Sequence, residues 1–417
     1  MTKLEIFDDV VDIMKHDAST CKDKTGGEVD AYRAKIKEDM TEEEFLFVMK
    51  SYLATFEVIA HVAFYNTKGS GRLNFGVQRY QDELYVTKVA KNSELEIGDR
   101  IVEVDGIPVK EFAEMHKEFL YGEWEERQGA LWSGLLRFFH TITVVRKANG
   151  NREVLTIKNN GEWKERTPYF CKKLKDNVAY MYLADFGNEE EIQKMYSQNE
   201  TMLKNSEFLV IDVRGNGGGS DSAYFPLLKY CLPIGKTLQD MDFEDDCAEV
   251  NYTERNCDIR LDIFRQYKQM EIPEETKAMF DKMEAEALEN RGKGFVKDSS
   301  DFQIPIKGEE GPSHVYILTD NECGSSGDAF VKTMNISPRV TSVGRPTMGI
   351  LDYSNLSMVT YGEYTFMYPT SRLLNIDKGI CMAKNGVPVD VYIPWTPEFL
   401  ERDVDLERVY ALIEGRY

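Results

Sequence analysis

The sequence predicts an α/β protein of several domains, on three observations. A chain of 417 residues with 42% hydrophobic side chains is longer than one ordinary domain and can bury sizeable cores. Between Val178 and Val213 an apolar run, a helical stretch over Glu189–Asn205 and a second apolar run follow one another, the β-α-β order of a sheet with parallel strands. From Val315 to Phe330, VYILTDNECGSSGDAF, an apolar run breaks into small polar residues and then resumes at helical spacing: strand, tight turn, helix.

The first 68 residues read as helical. Leu4, Ile6, Val10, Val11 and Ile13 recur at helical spacing, and after a polar loop over Asp17–Gly27, Thr41-Glu42-Glu43-Glu44 has the form of a capping box. The helix that it opens carries Phe45, Phe47, Val48, Tyr52, Leu53 and Phe56, and it delivers the chain to Ile59-Ala60-His61-Val62. A histidine among apolar neighbours is commonly a satisfied core residue; the other reading of His61 is a catalytic base. MTKLEIFDDVVDIMKHD has neither the basic start nor the unbroken apolar run of a secretory leader, and no stretch is long and apolar enough to span a bilayer, so a cytoplasmic, non-membrane protein is expected.

Residues 69–158 change to short alternating strands with glycine punctuation: Leu73–Val77, Leu84–Val89, then a half-buried strand between the turn pairs Gly98-Asp99 and Asp105-Gly106. GDRIVEVDGIPVKEF resembles the PDZ family, whose members take an extended peptide as an added strand and hold its terminal carboxylate on backbone N–H groups. The resemblance implies a carboxylate loop at Asn74, Phe75, Gly76 and Val77. A small β-barrel with no peptide is the plainer reading. Gln128–Phe139 exceeds a minimal PDZ domain, with no role legible.

Asn159–Arg166 reads as a polar linker, and 167–417 as an α/β core with a mixed sheet. The strand Phe208–Val213 ends in Arg214-Gly215-Asn216-Gly217-Gly218-Gly219-Ser220. This glycine run lacks a P-loop lysine, and Ser220 stands where a dinucleotide fingerprint has its last Gly or Ala, so nucleotide binding is disfavoured. What it offers is backbone that can approach a ligand closely and aim N–H groups at it. Residues of about 240–297 are charged and read as a helical insertion, a lid, a dimer arm or a solvated helical pair. The sheet pattern resumes at Val315, Val340–Gly344, Tyr364–Tyr368 and GVPVDVYIP, and a helix over Asp405–Ile413 closes the chain.

The formal charge of −21, from 72 acidic and 51 basic side chains, argues against a nucleic-acid binder. Seven scattered cysteines without C-x-x-C spacing fit reduced thiols rather than disulfides or zinc, and no metal or cofactor is expected.

A nucleophile in the turn after Val315–Thr319 would sit at a helix N-terminus, where unpaired N–H groups and the helix dipole favour developing negative charge. Cys323, Ser325 and Ser326 are all candidates, and local composition does not choose among them. The order of His61, the PDZ-like segment, VIDVRGNGGG, LTDNECGSSGDAF and GVPVDVYIP resembles the C-terminal (tail-specific) processing peptidases and the catalytic part of the tricorn protease, over about Phe56 to Trp395. The resemblance implies a crotonase-like core and a serine endopeptidase acting on peptides or unfolded proteins. In that family the nucleophile lies three residues before an acidic residue, which selects Ser325 ahead of Asp328. It implies Gly217 and Ser326 as oxyanion donors. Tail-specific members use a lysine in the neighbourhood that here reads Gly344–Ile350, which has none, so the resemblance points to the tricorn-like branch and to His61 as base. There a serine precedes the histidine and a glutamate lies in the closing segment; here Ala60 and Lys384-Asn385-Gly386 stand in those places. Asp352 and Glu363 are the candidates to orient His61 instead, and a catalytically silent relative that binds peptides or apolar ligands is the alternative reading.

Overall fold

The α/β pattern is realised in two units, each assembled from three stretches of chain: 1–70, 245–301 and 352–381 in the first, 71–244, 302–351 and 382–417 in the second. The computed structural model describes residues 1–69, 71–120, 125–165, 167–175, 177–241, 247–270, 274–298, 304–383 and 385–415. In chain order the N-terminal elements are α1 (Lys3–His16), α2 (Val29–Arg33), α3 (Glu42–Ala54) and β1 (Ala63–Asn66). There follow β2 (Phe75–Tyr80), β3 (Glu83–Val89), β4 (Arg100–Val104), β5 (Ile107–Pro108), α4 (Val109–Met115), α5 (Gly129–Leu136), β6 (Thr141–Val145) and β7 (Arg152–Thr156). Next come β8 (Tyr169–Lys175), β9 (Val178–Leu183), α6 (Glu189–Asn205), β10 (Phe208–Asp212), α7 (Leu228–Cys231), β11 (Ala248–Tyr252), α8 (Glu254–Lys268), α9 (Glu274–Asn290) and β12 (Gly294–Lys297). The chain ends with β13 (His314–Thr319), α10 (Ser326–Met334), β14 (Val340–Gly344), β15 (Tyr353–Tyr361), β16 (Tyr364–Leu373), β17 (Val391–Tyr392) and α11 (Val404–Ile413).

In the first unit, α1 and α3 both start on capping boxes, Thr2 with Glu5 and Thr41 with Glu44, which satisfy orphan N–H groups reciprocally. Their apolar faces are buried, and Phe45, Phe64 and Tyr364 pack ring against ring, with Phe64 stacked on Tyr364 at 5.4 Å between centroids. The sheet runs β1-β16-β11-β12 with β15 on the long β16, all antiparallel. Within the stretch expected to be a helical insertion, α8 and α9 form a hairpin, but β11 and β12 are strands of this sheet.

The second unit holds two sheets. The smaller is antiparallel, ordered β2-β3-β4-β6-β7 with β5 on β4, and its core gathers Phe75, Val77, Val86, Ile101, Phe112, Trp132 and Val144. The stretch Gln128–Phe139 is largely α5, which packs along β2. The polar stretch from Asn159 is strapped to this sheet rather than loose: Gly161 N–H donates to Arg72 O at 2.8 Å and Lys91 N–H to Glu162 O at 2.9 Å. The larger sheet is ordered β17-β14-β13-β10-β9-β8, parallel except for the edge strand β8, so it is mixed. Both faces of its central strands are buried, which accounts for their unbroken apolar runs. Leu209, Ile211, Val315 and Ile317 face a core shared with α6 and α10, while Val210, Tyr316 and Leu318 face Val409 of α11. Because β10 and β13 are parallel neighbours in register, the segments that leave their carboxyl ends emerge together, at the edge where open α/β sheets bind ligands. No helix among the described residues is long and apolar enough to cross a membrane.

Candidate active site

The two segments that emerge together are the glycine run and the GSSG turn. Ser325 is the N-cap of α10 with φ 59° and ψ −122°, a conformation costly for a residue with a Cβ and one in which functional side chains are often held. A sharp strand-to-helix turn of this kind presents the hydroxyl and leaves the next N–H groups facing outward, as in the nucleophile elbow of hydrolases, though the sequence lacks the G-x-S-x-G form. Asp328 over-determines the turn. It is fully buried and accepts N–H bonds from Ser325 at 2.8 Å, Gly349 at 2.7 Å and Ile350 at 2.9 Å. Burial pushes its carboxyl above the ordinary range, while these backbone bonds act to lower it.

The glycine run packs against that turn. Gly324 N–H donates to Asn216 O at 2.9 Å, and the buried Asn216 side chain donates to Leu183 O at 3.0 Å and accepts from Gly218 N–H at 2.9 Å. A Cβ at Gly218 would stand 2.6 Å from the Ser325 Cβ, and φ there is +88°, so only glycine allows this approach. Ser326 Oγ–H donates to Gly219 O at 2.8 Å, which ties the two segments together a second time. A Cβ at Gly217 would meet nothing within 4 Å. Among the described residues, neither the Gly217 N–H nor the Ser326 N–H donates to a protein acceptor. Cys323 has a different environment: it is fully buried with its sulfur beneath Gly327, and burial pushes its thiol well above the usual range.

His61 belongs to the first unit and is buried there. Its Nδ1 is bonded to the Tyr353 carbonyl oxygen, an acceptor only, so Nδ1 carries a proton. The approach is a tight one: Glu57 and Ala60 both have positive φ, and His61 N–H donates to Ile59 O at 2.6 Å. Of the two carboxylates considered as orienting groups, Asp352 accepts from Cys381 Sγ–H at 2.7 Å. Glu363 lies at the turn of the β15–β16 hairpin, opposite to the Tyr353 end, where it pairs with Lys68. Lys384 lies outside the described residues.

Phe75, Gly76 and Val77 line a cleft of about 530 Å³ whose other walls include Ser133 and Gly134 of α5 and Trp163. Asn74 is buried and is not among the residues that line the cleft; its N–H is committed to Lys158 O at 3.2 Å and its carbonyl to Ala90 N–H at 2.8 Å. β2 is the end strand of its sheet, paired with β3 alone among the described strands.

Residues 177–393, more than half of the chain, match the model of peptidase family S41. The chain belongs to peptidase family S41. It is therefore a serine-type peptidase that acts on peptide or protein substrates. Among solved structures, mature CPAF in complex with lactacystin is similar at 15% identity and a TM-score of 0.62, over 99% of both chains. Mature CPAF without that compound is similar at 14% identity and 0.62, over 99% of this chain and 98% of the other. A putative peptidase from Parabacteroides merdae aligns at 14% identity and 0.48, over 99% and 96%. No curated protein gives a significant match.

In this S41 peptidase one part of the site went unread in the sequence. Arg214, at the head of the glycine run, donates to Asp212 at 2.6 Å, to Asp403 at 2.8 Å and to Asp405 at 3.1 Å, and Arg345 clamps Asp405 through bonds of 2.7 and 2.9 Å. Burial works against the Asp403 carboxyl, but Arg214 outweighs it and holds that group below its ordinary range. The network fixes the carboxyl end of β10 and docks α11. Its only trace in the sequence was that an arginine and an aspartate flank a buried strand end.

Proposed function

We propose that the chain is a serine endopeptidase that works through an acyl-enzyme on Ser325. Ser325 Oγ attacks the scissile carbonyl while Nε2 of His61 takes its proton; the N–H groups of Gly217 and Ser326 hold the oxyanion; the proton passes to the leaving amine, and water then releases the acyl group. The observation that carries this reading is the strained Ser325 at the head of α10, near two N–H groups that donate to no protein acceptor among the described residues. The Nδ1 bond of His61 to Tyr353 O supports the base, since an Nδ1–H donated to that carbonyl is the tautomer in which Nε2 can accept a proton. The open edge of β2 supports a peptide-docking role for the PDZ-like sheet, with Phe75, Gly76 and Val77 along the ligand and Asn74 holding the loop. A fluorophosphonate probe and a panel of unfolded proteins test it. The wild type should label and cleave, Ser325→Ala should do neither, and His61→Ala should lose about 10²–10⁴-fold in kcat with KM little changed. Unchanged cleavage by Ser325→Ala would remove the assigned nucleophile, and an unaffected kcat in His61→Ala would remove the base.

A further inference from the structure

The cleft beside β2 has a charge opposite to that of the chain around it. In a protein of net charge −21, its walls carry Arg72, Lys88, Arg137 and Lys164 against the single carboxylate Glu322. Part of that charge is shared within the protein, since Lys88 pairs with Glu322 at 2.7 Å. The floor is apolar, with Phe75 and Val77 buried beneath it. One wall is the Phe75–Val77 part of the β2 edge, about 10 Å of backbone N–H and C=O groups. Cations above an apolar floor and beside an unpaired strand edge fit one class of ligand: an extended chain whose own side chains are anionic. We propose that this cleft takes the C-terminal segment of a protein or peptide rich in Asp and Glu. The inference rests on the reading of β2 as a peptide-accepting edge and adds the chemistry that the edge selects. A cationic island on an anionic surface also steers such a ligand, because the rest of the surface repels it and this patch does not.

Full-length Ser325→Ala, which should bind without cleaving, tests the proposal with fluorescein-labelled decapeptides read by anisotropy. One peptide carries Glu and Asp at the positions before an apolar C-terminal residue. A second has Gln and Asn there, and a third is the acidic peptide with its C-terminus amidated. The acidic peptide should bind at least tenfold more tightly than the neutral one, and the advantage should shrink between 50 and 300 mM salt, as roughly expected when the Debye length shortens. Arg137→Gln combined with Lys164→Gln should remove most of the advantage while leaving the affinity for the neutral peptide and the circular dichroism spectrum unchanged. Equal affinity for the acidic and neutral free-carboxylate peptides would overturn the charge selectivity and leave the docking edge standing. Failure of all three to bind, or no loss on amidation, would overturn the docking edge and the inference together.

Discussion

Ser325 carries a conformational cost that stability alone does not explain. With φ at 59° and ψ at −122°, its backbone sits where a Cβ costs about 1–3 kcal/mol, and the bonds that Asp328 accepts from Ser325, Gly349 and Ile350 keep it there. Replacement by alanine removes the hydroxyl but keeps the Cβ, whereas replacement by glycine removes both. Even after about 0.5–1 kcal/mol for the extra freedom of an unfolded glycine, Ser325→Gly should be more stable than Ser325→Ala by about 1 kcal/mol in urea unfolding. Equal midpoints would mean that the strain only matches the glycine's entropy cost, and a lower midpoint for Ser325→Gly would mean that the turn stores none. The same residue marks how far the sequence could be read. Its turn and its helix were legible in VYILTDNECGSSGDAF, but the choice among Cys323, Ser325 and Ser326 was not, because the differences lie in burial and φ. Cys323 is enclosed, and Ser326 turns its hydroxyl to Gly219 O. Neither property leaves a mark in local composition.

At the scale of elements, periodic apolar patterns were legible and polar interiors were not. α6, β9 and β14 lie where the sequence pattern placed them. β11 and β12 were hidden in a charged stretch because β11 buries polar groups: Glu249 and Asn251 both point inward and find partners there. The partner of Glu249 is Arg372 on β16, which is fully buried and also binds Asp23 at 2.7 and 2.8 Å and Asp377 at 2.8 Å. Removing this one cation leaves three carboxylates near each other, with Lys22 beside Glu249 and the Tyr353 hydroxyl on Asp23. Arg372→Met should therefore cost about 3–5 kcal/mol in urea unfolding. The pH dependence follows from Asp377, whose carboxyl the hydrogen bond from Arg372 holds below its ordinary value of 3.8. A depressed folded-state pKa stabilises above the unfolded value and loses that contribution as pH falls through the folded one. The wild type should thus lose stability more steeply than Arg372→Met between about pH 5 and pH 3, and parallel losses would show that the arginine does not set the carboxylate.

For the whole molecule, the decisive fact is how the chain is threaded. Neither unit is continuous: each draws on three stretches, and the chain leaves β10 for β11 in the other unit before it returns for β13. Parallel pairing of β10 with β13 requires a connection of some length, and here that connection contributes strands to a different sheet. Linear reading accordingly took an interruption for an insertion; the glycine run and the GSSG turn belong together through pairing across that gap, which periodicity cannot register. The small sheet is the exception. β2 through β7, with α4, α5 and the strap to Trp163, fall within residues 71–165, and the side chains of its core, including Phe75, Val86, Phe112, Trp132 and Val144, come from that stretch. A fragment of residues 71–165 should therefore fold alone, with a cooperative thermal transition and dispersed amide resonances, whereas a fragment of 167–244 lacks β13 and β14 and should not. Collapse of the first fragment into a non-cooperative state would mean that its stability is borrowed from the larger sheet, through contacts such as Arg127 Nη2–H to Met348 O at 2.6 Å and the Lys88–Glu322 pair.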